Sequence, residues 1–258
     1  MLKNQRHDEI LKILKDEHFA SVRYLGDKVH ASQPTIRRDL DFLEKQGFVH
    51  RSHGGVMLAD GRTNVPVPFR KATRLKEKSN ICRLASRLIE SGQTLFIDAS
   101  TTAFCLSDYL KNDDDLTVIT NGISLCRTLS ENKLRVFSTG GRLVRESEAF
   151  VGRLAEDAAT NFYADLMFFS SSALDDGGVI SDYSEEETNL RRVMKSSSRK
   201  TVFLCDSGKF GTRSAFKVFE LGDVDYFVTN ETISDDIVQR FGLEIHLRGD
   251  GAVMYKRS

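Results

Sequence analysis

Over the first sixty residues, apolar positions recur at helical spacing and polar stops divide them into segments. From about Gln5 to Glu17, Ile10, Leu11, Ile13 and Leu14 share one face, with Asp8, Lys12 and Lys15 outside it. Phe19-Ala20 breaks this pattern as a short extended piece. Ser21 then reads as the N-cap of a second helix, which turns Val22, Leu25 and Val29 inward. Ser32 caps a third helix, and Pro34 is tolerated in its first turn because the missing N–H has no helical partner there. Ile36, Leu40 and Leu43 form the buried stripe of that helix, and Gly47 ends it. With those three facing the core, Arg37, Arg38 and Asp41 must face outward. Two β-prone runs, Phe48–Ser52 and Val56–Leu58, flank His53-Gly54-Gly55 and predict a hairpin. Two short helices with matching apolar faces, followed by a hairpin, make a winged helix-turn-helix over residues 1–58.

The pattern changes after residue 58. Residues 59–75 hold two of the three prolines and no helical periodicity, and they read as an extended linker. From residue 76 to 258, apolar β-prone runs alternate with helical ones. A helix from Lys76 to Gly92 carries Ile81, Leu84, Ala85, Leu88 and Ile89 inward. Strands are expected at Leu95–Ile97, Leu116–Ile119, Leu134–Phe137, Leu166–Phe169, Thr201–Leu204 and Tyr226–Val228. Helices are expected around Phe104–Leu110, Leu125–Leu129, Glu185–Ser198 and Ser234–Phe241, and Gly177-Gly178 reads as a turn. Such alternation predicts an α/β domain, Rossmann-like, with a mostly parallel sheet covered on both faces.

Formal charge is zero over 258 residues, but it is not evenly spread. Residues 1–78 hold 16 Lys/Arg against 10 Asp/Glu (+6), and the remainder holds 21 against 27 (−6). A basic head on an acidic body points to a polyanionic partner for the head alone. Cys82, Cys105, Cys126 and Cys205 form no C-x-x-C pair, so inert thiols are expected rather than zinc or a disulfide framework. No run approaches the ~20 apolar residues of a membrane span. The first residues lack the apolar core of a secretory signal, so a cytoplasmic protein is expected.

Candidate chemistry gathers in two places. Ser32, Gln33, Pro34 and Thr35 sit at the exposed start of the third helix, an end whose unpaired N–H groups are open to a phosphate. In a major groove an arginine reads guanine or grips phosphate, and a glutamine pairs with adenine. Arg37 and Arg38 stand on that helix, and Arg51 and His53 on the wing can touch backbone or minor groove. In the α/β body, polar residues sit where strands end, the rim at which such sheets bind ligands. They are Asp98-Ala99-Ser100-Thr101-Thr102, Thr120-Asn121-Gly122, Ser138 to Gly141, Ser170 to Ser172 and Asp206-Ser207-Gly208-Lys209. Lys209 can supply a point charge to an anion, and Asp98 or Asp206 can accept from ligand hydroxyls. No P-loop and no strand-anchored G-x-G-x-x-G is present.

The motifs S-Q-P-T-I-R-R-D-L (Ser32–Leu40), L-E-K-Q-G (Leu43–Gly47) and R-S-H-G-G (Arg51–Gly55) resemble the winged helix-turn-helix of the DeoR family of bacterial transcription regulators. Val56 stands where that family most often has alanine. The resemblance continues through D-A-S-T-T, T-N-G, T-G-G-R…V-G (Thr139 to Gly152), E-x-x-x-x-R-x-M (Glu187 to Met194) and D-S-G-K-F-G (Asp206–Gly211), which follow the family's sensor domain in order. It implies a body similar to ribose-5-phosphate isomerase and a phosphorylated sugar or sugar derivative as effector. The effector site carried over consists of Asp98, Ser100, Thr101, Thr102, Thr120, Asn121, Gly140, Gly141, Glu187, Asp206 and Lys209. Ser100 replaces the usual glycine of D-x-G-T-T.

The resemblance implies a regulator, expected to repress genes of sugar metabolism. It would bind double-stranded operator DNA as a homo-oligomer, without catalysis, cofactor or metal. Two other readings remain open. Asp98, Glu187, Asp206 and Lys209 could serve an isomerase-like sugar-phosphate enzyme with an attached DNA-binding domain. A non-specific architectural DNA binder would show salt-dependent affinity without a preferred site.

Overall fold

The computed structural model describes residues 3–17, 19–45, 48–52, 55–58, 67–110 and 115–258. The chain forms two compact units, Met1–Thr73 and Arg74–Ser258.

The first unit contains α1 (Lys3–Glu17), α2 (Val22–Lys28), α3 (Gln33–Lys45), β1 (Val49–Ser52), β2 (Gly55–Leu58) and α4 (Val67–Ala72). As expected of a cap, the Ser21 hydroxyl accepts from Tyr24 N–H at 3.1 Å. Ser32 acts differently: its carbonyl takes the first α3 bond from Ile36 N–H, while its hydroxyl pairs with that of Thr35. Ile10, Leu14, Leu25, Val29, Ile36, Leu40 and Leu43 close one core with Val49 and Val56 of the hairpin. β1 and β2 pair antiparallel, and Ala20 exchanges two backbone bonds with Val56, so the wing gains a third extended piece. A Cβ at Gly55 would collide with the Ala20 carbonyl and the Phe19 ring, so glycine is required there by close approach. Gly47, His53, Gly54 and Ala59–Pro66 lie outside the described residues.

The linker reading needs correction, because Val67–Ala72 is helical. Pro68 occupies the first turn of α4, where a missing N–H costs nothing.

The second unit runs α5 (Leu75–Ala85), β3 (Thr94–Ile97), α6 (Thr101–Phe104), β4 (Thr117–Thr120), α7 (Ile123–Leu129) and β5 (Arg135–Ser138). Next come β6 (Arg142–Val144), β7 (Ala149–Val151), α8 (Arg153–Ala159), β8 (Ala164–Phe169), β9 (Ala173–Leu174), β10 (Val179–Asp182) and α9 (Glu185–Ser196). The chain ends with β11 (Ser198–Cys205), β12 (Phe216–Glu220), β13 (Tyr226–Thr229), α10 (Asp235–Arg240), β14 (Leu243–Gly249) and β15 (Ala252–Arg257). The expected helices at 76–92 and 104–110 are shorter in α form, each passing into a 3-10 turn (Ser86–Leu88 and Cys105–Tyr109).

Eight strands form the main sheet in the order β14-β15-β13-β11-β8-β3-β4-β5. The run from β13 to β5 is parallel, and β15 and β14 extend it antiparallel. Alternation along each strand separates two cores. Leu95, Ile97, Val118, Phe168 and Leu204 face the side of α5 and α7. Phe96, Ile119, Met167, Phe169 and Phe203 face the side of α8 and α9. On that second face Phe169, Phe203, Phe227 and Tyr255 stack in series across four neighbouring strands, with ring centroids 5.1, 5.5 and 5.9 Å apart. Three strands that the sequence pattern did not announce, β9, β10 and β12, make a small antiparallel sheet, and β6 and β7 make a hairpin.

From β3 the strand order goes outward to β4 and β5 on one side and to β8, β11 and β13 on the other. The switch point is therefore the crevice between the carboxyl ends of β3 and β8.

Candidate functional site

In the first unit, the exposed surface of α3 follows from what its inner surface does. Asp39 is buried, and it accepts from Arg6 at 2.6 and 3.0 Å and lies 3.0 Å from His7 Nε2. His7 also stacks on Phe42 at 5.1 Å. Burial alone would raise the Asp39 pKa, but the bonds from Arg6 and His7 outweigh it and hold the carboxyl below its ordinary value. This clamp between α1 and α3 fixes the rotation of α3 about its axis. Ser32, Gln33, Pro34, Arg37 and Arg38 are exposed, and Thr35 is half-buried. Among the described residues neither Arg37 nor Arg38 is in an ion pair. Arg51 is placed differently: its guanidinium pairs with Asp41 of α3, and its N–H donates to Glu44 at 2.9 Å. His53 falls outside the described residues.

In the second unit, the rim at the switch point is organised around Arg191 of α9, which is 4% exposed. Its three nitrogens donate to Asp98 at 2.8 Å, Asp182 at 3.0 Å and Glu187 at 3.2 Å. Burial would lower the guanidinium's pKa, but the three carboxylates more than reverse it and raise the value above the ordinary one. Asp98 also accepts from the N–H of Ser100 at 3.1 Å and of Ser170 at 3.4 Å, so it stitches β3 to β8. Its neighbour on the motif, Arg192, turns outward to the Lys217 carbonyl.

Beside this group two ammonium groups reach adjacent hydroxyls. Lys78 of α5, 4% exposed, donates to Thr101 Oγ1 at 3.1 Å. Lys209 donates to Ser170 Oγ at 2.8 Å and reaches Thr102 Oγ1 at 3.4 Å. Thr101 and Thr102 open α6, whose cap is Ser100, accepting from Ala103 N–H at 3.1 Å. One buried and one half-buried cation beside hydroxyls and helix-start N–H groups make an environment that favours an anion. Cys205 at the end of β11 lies nearby. Burial pushes its thiol up to about 12 despite Lys209, so it stays protonated and inert.

A model of the DeoR-like helix-turn-helix domain matches residues 6–62, and one of the DeoR C terminal sensor domain matches residues 73–231. The chain belongs to the DeoR family. Curated relatives of this DeoR-family regulator include the glycerol-3-phosphate regulon repressor of Escherichia coli K12, 30% identical over 89% of this chain and 92% of that protein. The transcriptional regulator GlpR of Haloferax volcanii is 32% identical, covering 92% and 93%. Regulator GolR of Listeria innocua is 30% identical, covering 92% and 94%. Among solved structures, a ribose 5-phosphate isomerase A from Methanocaldococcus jannaschii aligns over 52% of this chain and 53% of its own, at 10% identity and a TM-score of 0.39.

In the DeoR-family regulator, the residues expected at the effector site divide by occupation. Thr102 and Lys209 come together, and Thr101 beside them meets Lys78. Asp98 and Asp206, expected to accept from a ligand, are engaged internally: Asp206 accepts from Gly208 N–H at 3.2 Å and pairs with Arg74 at 3.1 Å. Thr120 accepts from Gly122 N–H, and Asn121 bridges Ala99 N–H to the Phe150 carbonyl. These two shape the rim. Ser100, where relatives were expected to carry glycine, spends its hydroxyl as the α6 cap rather than on a ligand. Gly140 and Gly141 turn β5 into β6. A Cβ on Gly141 would come within 2.7 Å of the Val151 carbonyl, which fixes glycine there. Glu187 belongs to the Arg191 group. Sequence reasoning missed Arg191, Lys78 and Arg74. Lys78 carried a signal, since it is a lysine at a helical position that also faces the core side of α5.

Proposed function

We propose that this regulator is a cytoplasmic repressor that holds paired operator half-sites as a homo-oligomer and lets go when a phosphorylated sugar or derivative enters the sensor rim. The effector reading rests on the convergence of Lys78 and Lys209 on Thr101 and Thr102 at the switch point. A phosphate monoester carries two negative charges near neutral pH, and paired ammonium groups with hydroxyl donors match it. The relatives that share both domains include a glycerol-3-phosphate regulon repressor, which supports a phosphorylated ligand of this class. On the DNA side, Gln33 and Arg37 read bases from the exposed start of α3. Arg38, Ser32 and Thr35 address phosphate, Pro34 sets the first turn that presents them, and Arg51 and His53 of the wing address the backbone or minor groove. Two-fold assembly of such heads gives half-sites spaced by whole helical turns.

Binding here proceeds without chemistry. An aldose–ketose isomerase needs a base in reach of a substrate proton, whereas Asp98 and Glu187 are held by Arg191. A gel-shift titration across a phosphosugar panel tests the reading. Loss of operator affinity with one phosphosugar, and not with its unphosphorylated parent, is the expected result. Indifference to every phosphosugar sinks the effector half. Turnover of ribose 5-phosphate that vanishes in Lys209→Ala would instead establish an enzyme.

A further inference from the structure

The first residue of the second unit is Arg74, and its backbone is unusual. It sits at φ 51°, ψ 38°, the left-handed region that arginine rarely adopts, and no side-chain bond caps α5 at this point. Only Thr73 and Arg74 separate α4, which ends at Ala72, from α5, which begins at Leu75. Arg74 is thus one of the two residues that interrupt the helical backbone between α4 and α5. A non-glycine residue in this conformation persists only when its surroundings hold it there.

The effector rim is what holds it. Arg74 Nε pairs with Asp206 at 3.1 Å, and Nη2 donates to Ser207 Oγ at 2.8 Å. Its side chain lies across Gly208, where a Cβ would come within 2.9 Å of Arg74 Cδ. That contact gives the glycine of D-S-G-K-F-G a reason that loop conformation alone does not. The next residue is Lys209, which reaches Thr102 and Ser170 from the other side of the same short turn. Four residues after Arg74, Lys78 N–H donates to the Arg74 carbonyl at 3.0 Å while its ammonium bonds Thr101. The opening turn of α5 is thus tied at both ends to the loops proposed to take the anion.

We propose that Arg74 is the positioning residue through which effector occupancy reaches the DNA-binding unit. Asp206 has two cationic neighbours, Arg74 at 3.1 Å and Lys209 at 3.7 Å. An anion that draws Lys209 toward itself leaves Asp206 leaning more on Arg74. The latch tightens, and the left-handed break before α5 is held more firmly. Without the anion, Arg74 has freer access to the right-handed region. A small change in charge at the rim thereby biases a two-state backbone element.

This inference rests on the effector reading, and the test separates the two. Full-length wild type, Arg74→Gln and Arg74→Lys are compared with inorganic phosphate as probe. Phosphate binding is followed by thermal shift, and hydrogen exchange is followed across residues 74–78. In wild type, phosphate is expected to slow exchange there by about tenfold, within the usual range of coupling between sites. Arg74→Gln should still bind phosphate but lose the slowing, and Arg74→Lys should recover part of it. Operator affinity of Arg74→Gln, referred to its own baseline, should no longer respond to a phosphosugar that releases wild type. No phosphate binding by wild type overturns the effector reading and this inference with it. Phosphate binding with equal slowing in wild type and Arg74→Gln overturns the latch alone.

Discussion

The two working surfaces of this regulator are built in opposite ways. On α3 the candidate contact residues are individual side chains on one regular helix, exposed, with Arg37 and Arg38 outside any ion pair among the described residues. At the sensor rim almost every charged group already serves another: Arg191 holds three carboxylates, Asp206 holds Arg74, and Asn121 holds two loops. The first surface waits for a partner of fixed shape, so a helix with its inner side clamped by Asp39 is sufficient. On the proposed function, the second accepts a small ligand and passes on its arrival, which requires groups whose partners can be exchanged. A substitution on α3 should therefore change recognition and leave folding alone, while one at the rim centre should damage folding first.

The largest effect is expected at Arg191. Arg191→Met leaves Asp98, Asp182 and Glu187 facing one another in a buried site, and removing one partner of a buried pair already costs about 3–5 kcal/mol. Urea melts should show at least that loss, and a variant of wild-type stability would show that the group is not a structural unit. Asp39→Asn comes next. It strips the charged acceptor from Arg6 and His7, at a cost of about 2–3 kcal/mol by the usual worth of charge-assisted bonds, read from melting of the first unit. The same carboxyl makes a pH prediction. Its folded pKa lies below the unfolded value, so its contribution is complete above about pH 3.9. That contribution is lost as pH falls further toward the folded value. An acid limb that is unchanged in Asp39→Asn would refute the clamp.

Smaller effects belong to the DNA surface. Gln33→Ala or Arg37→Ala should alter which operator base is preferred, by about 1–3 kcal/mol per contact. Arg38→Ala should weaken all sequences alike and reduce the salt slope by about one. A uniform loss from all three in a binding-site selection would show their roles to be mis-assigned. Smallest is Asp41→Asn. It frees Arg51 from an exposed pair worth about 0.2–1 kcal/mol, and operator affinity should rise by no more than a few-fold. A fall in affinity would mean that Asp41 orients Arg51 for DNA rather than restraining it.

Much of the layout could be read from residue order. The three helices and hairpin of the first unit, the rotation of Arg37 and Arg38 outward, and the central parallel strands all rest on local periodicity, and they stand in the structure. Shorter elements escaped. β9 and β10 have two and four residues, and they exist only because β12, more than thirty residues further on, pairs with β10. Local pattern cannot register such a partner. α4 escaped for a chemical reason, since Pro68 looks like a breaker unless its place in the turn is known.

Residue order determined the fold class, the family and the position of the polar loops, because each depends on period, spacing and motif within a few neighbouring residues. Tertiary structure alone decided which polar groups are spent on one another. Glu187 and Arg191 share α9, but Asp98 follows β3 and Asp182 ends β10, and only folding brings those two within hydrogen-bond distance of the guanidinium. Desolvation then forces each buried charge to take a partner, which is why Arg191 is spent on three carboxylates and Lys78 reaches Thr101.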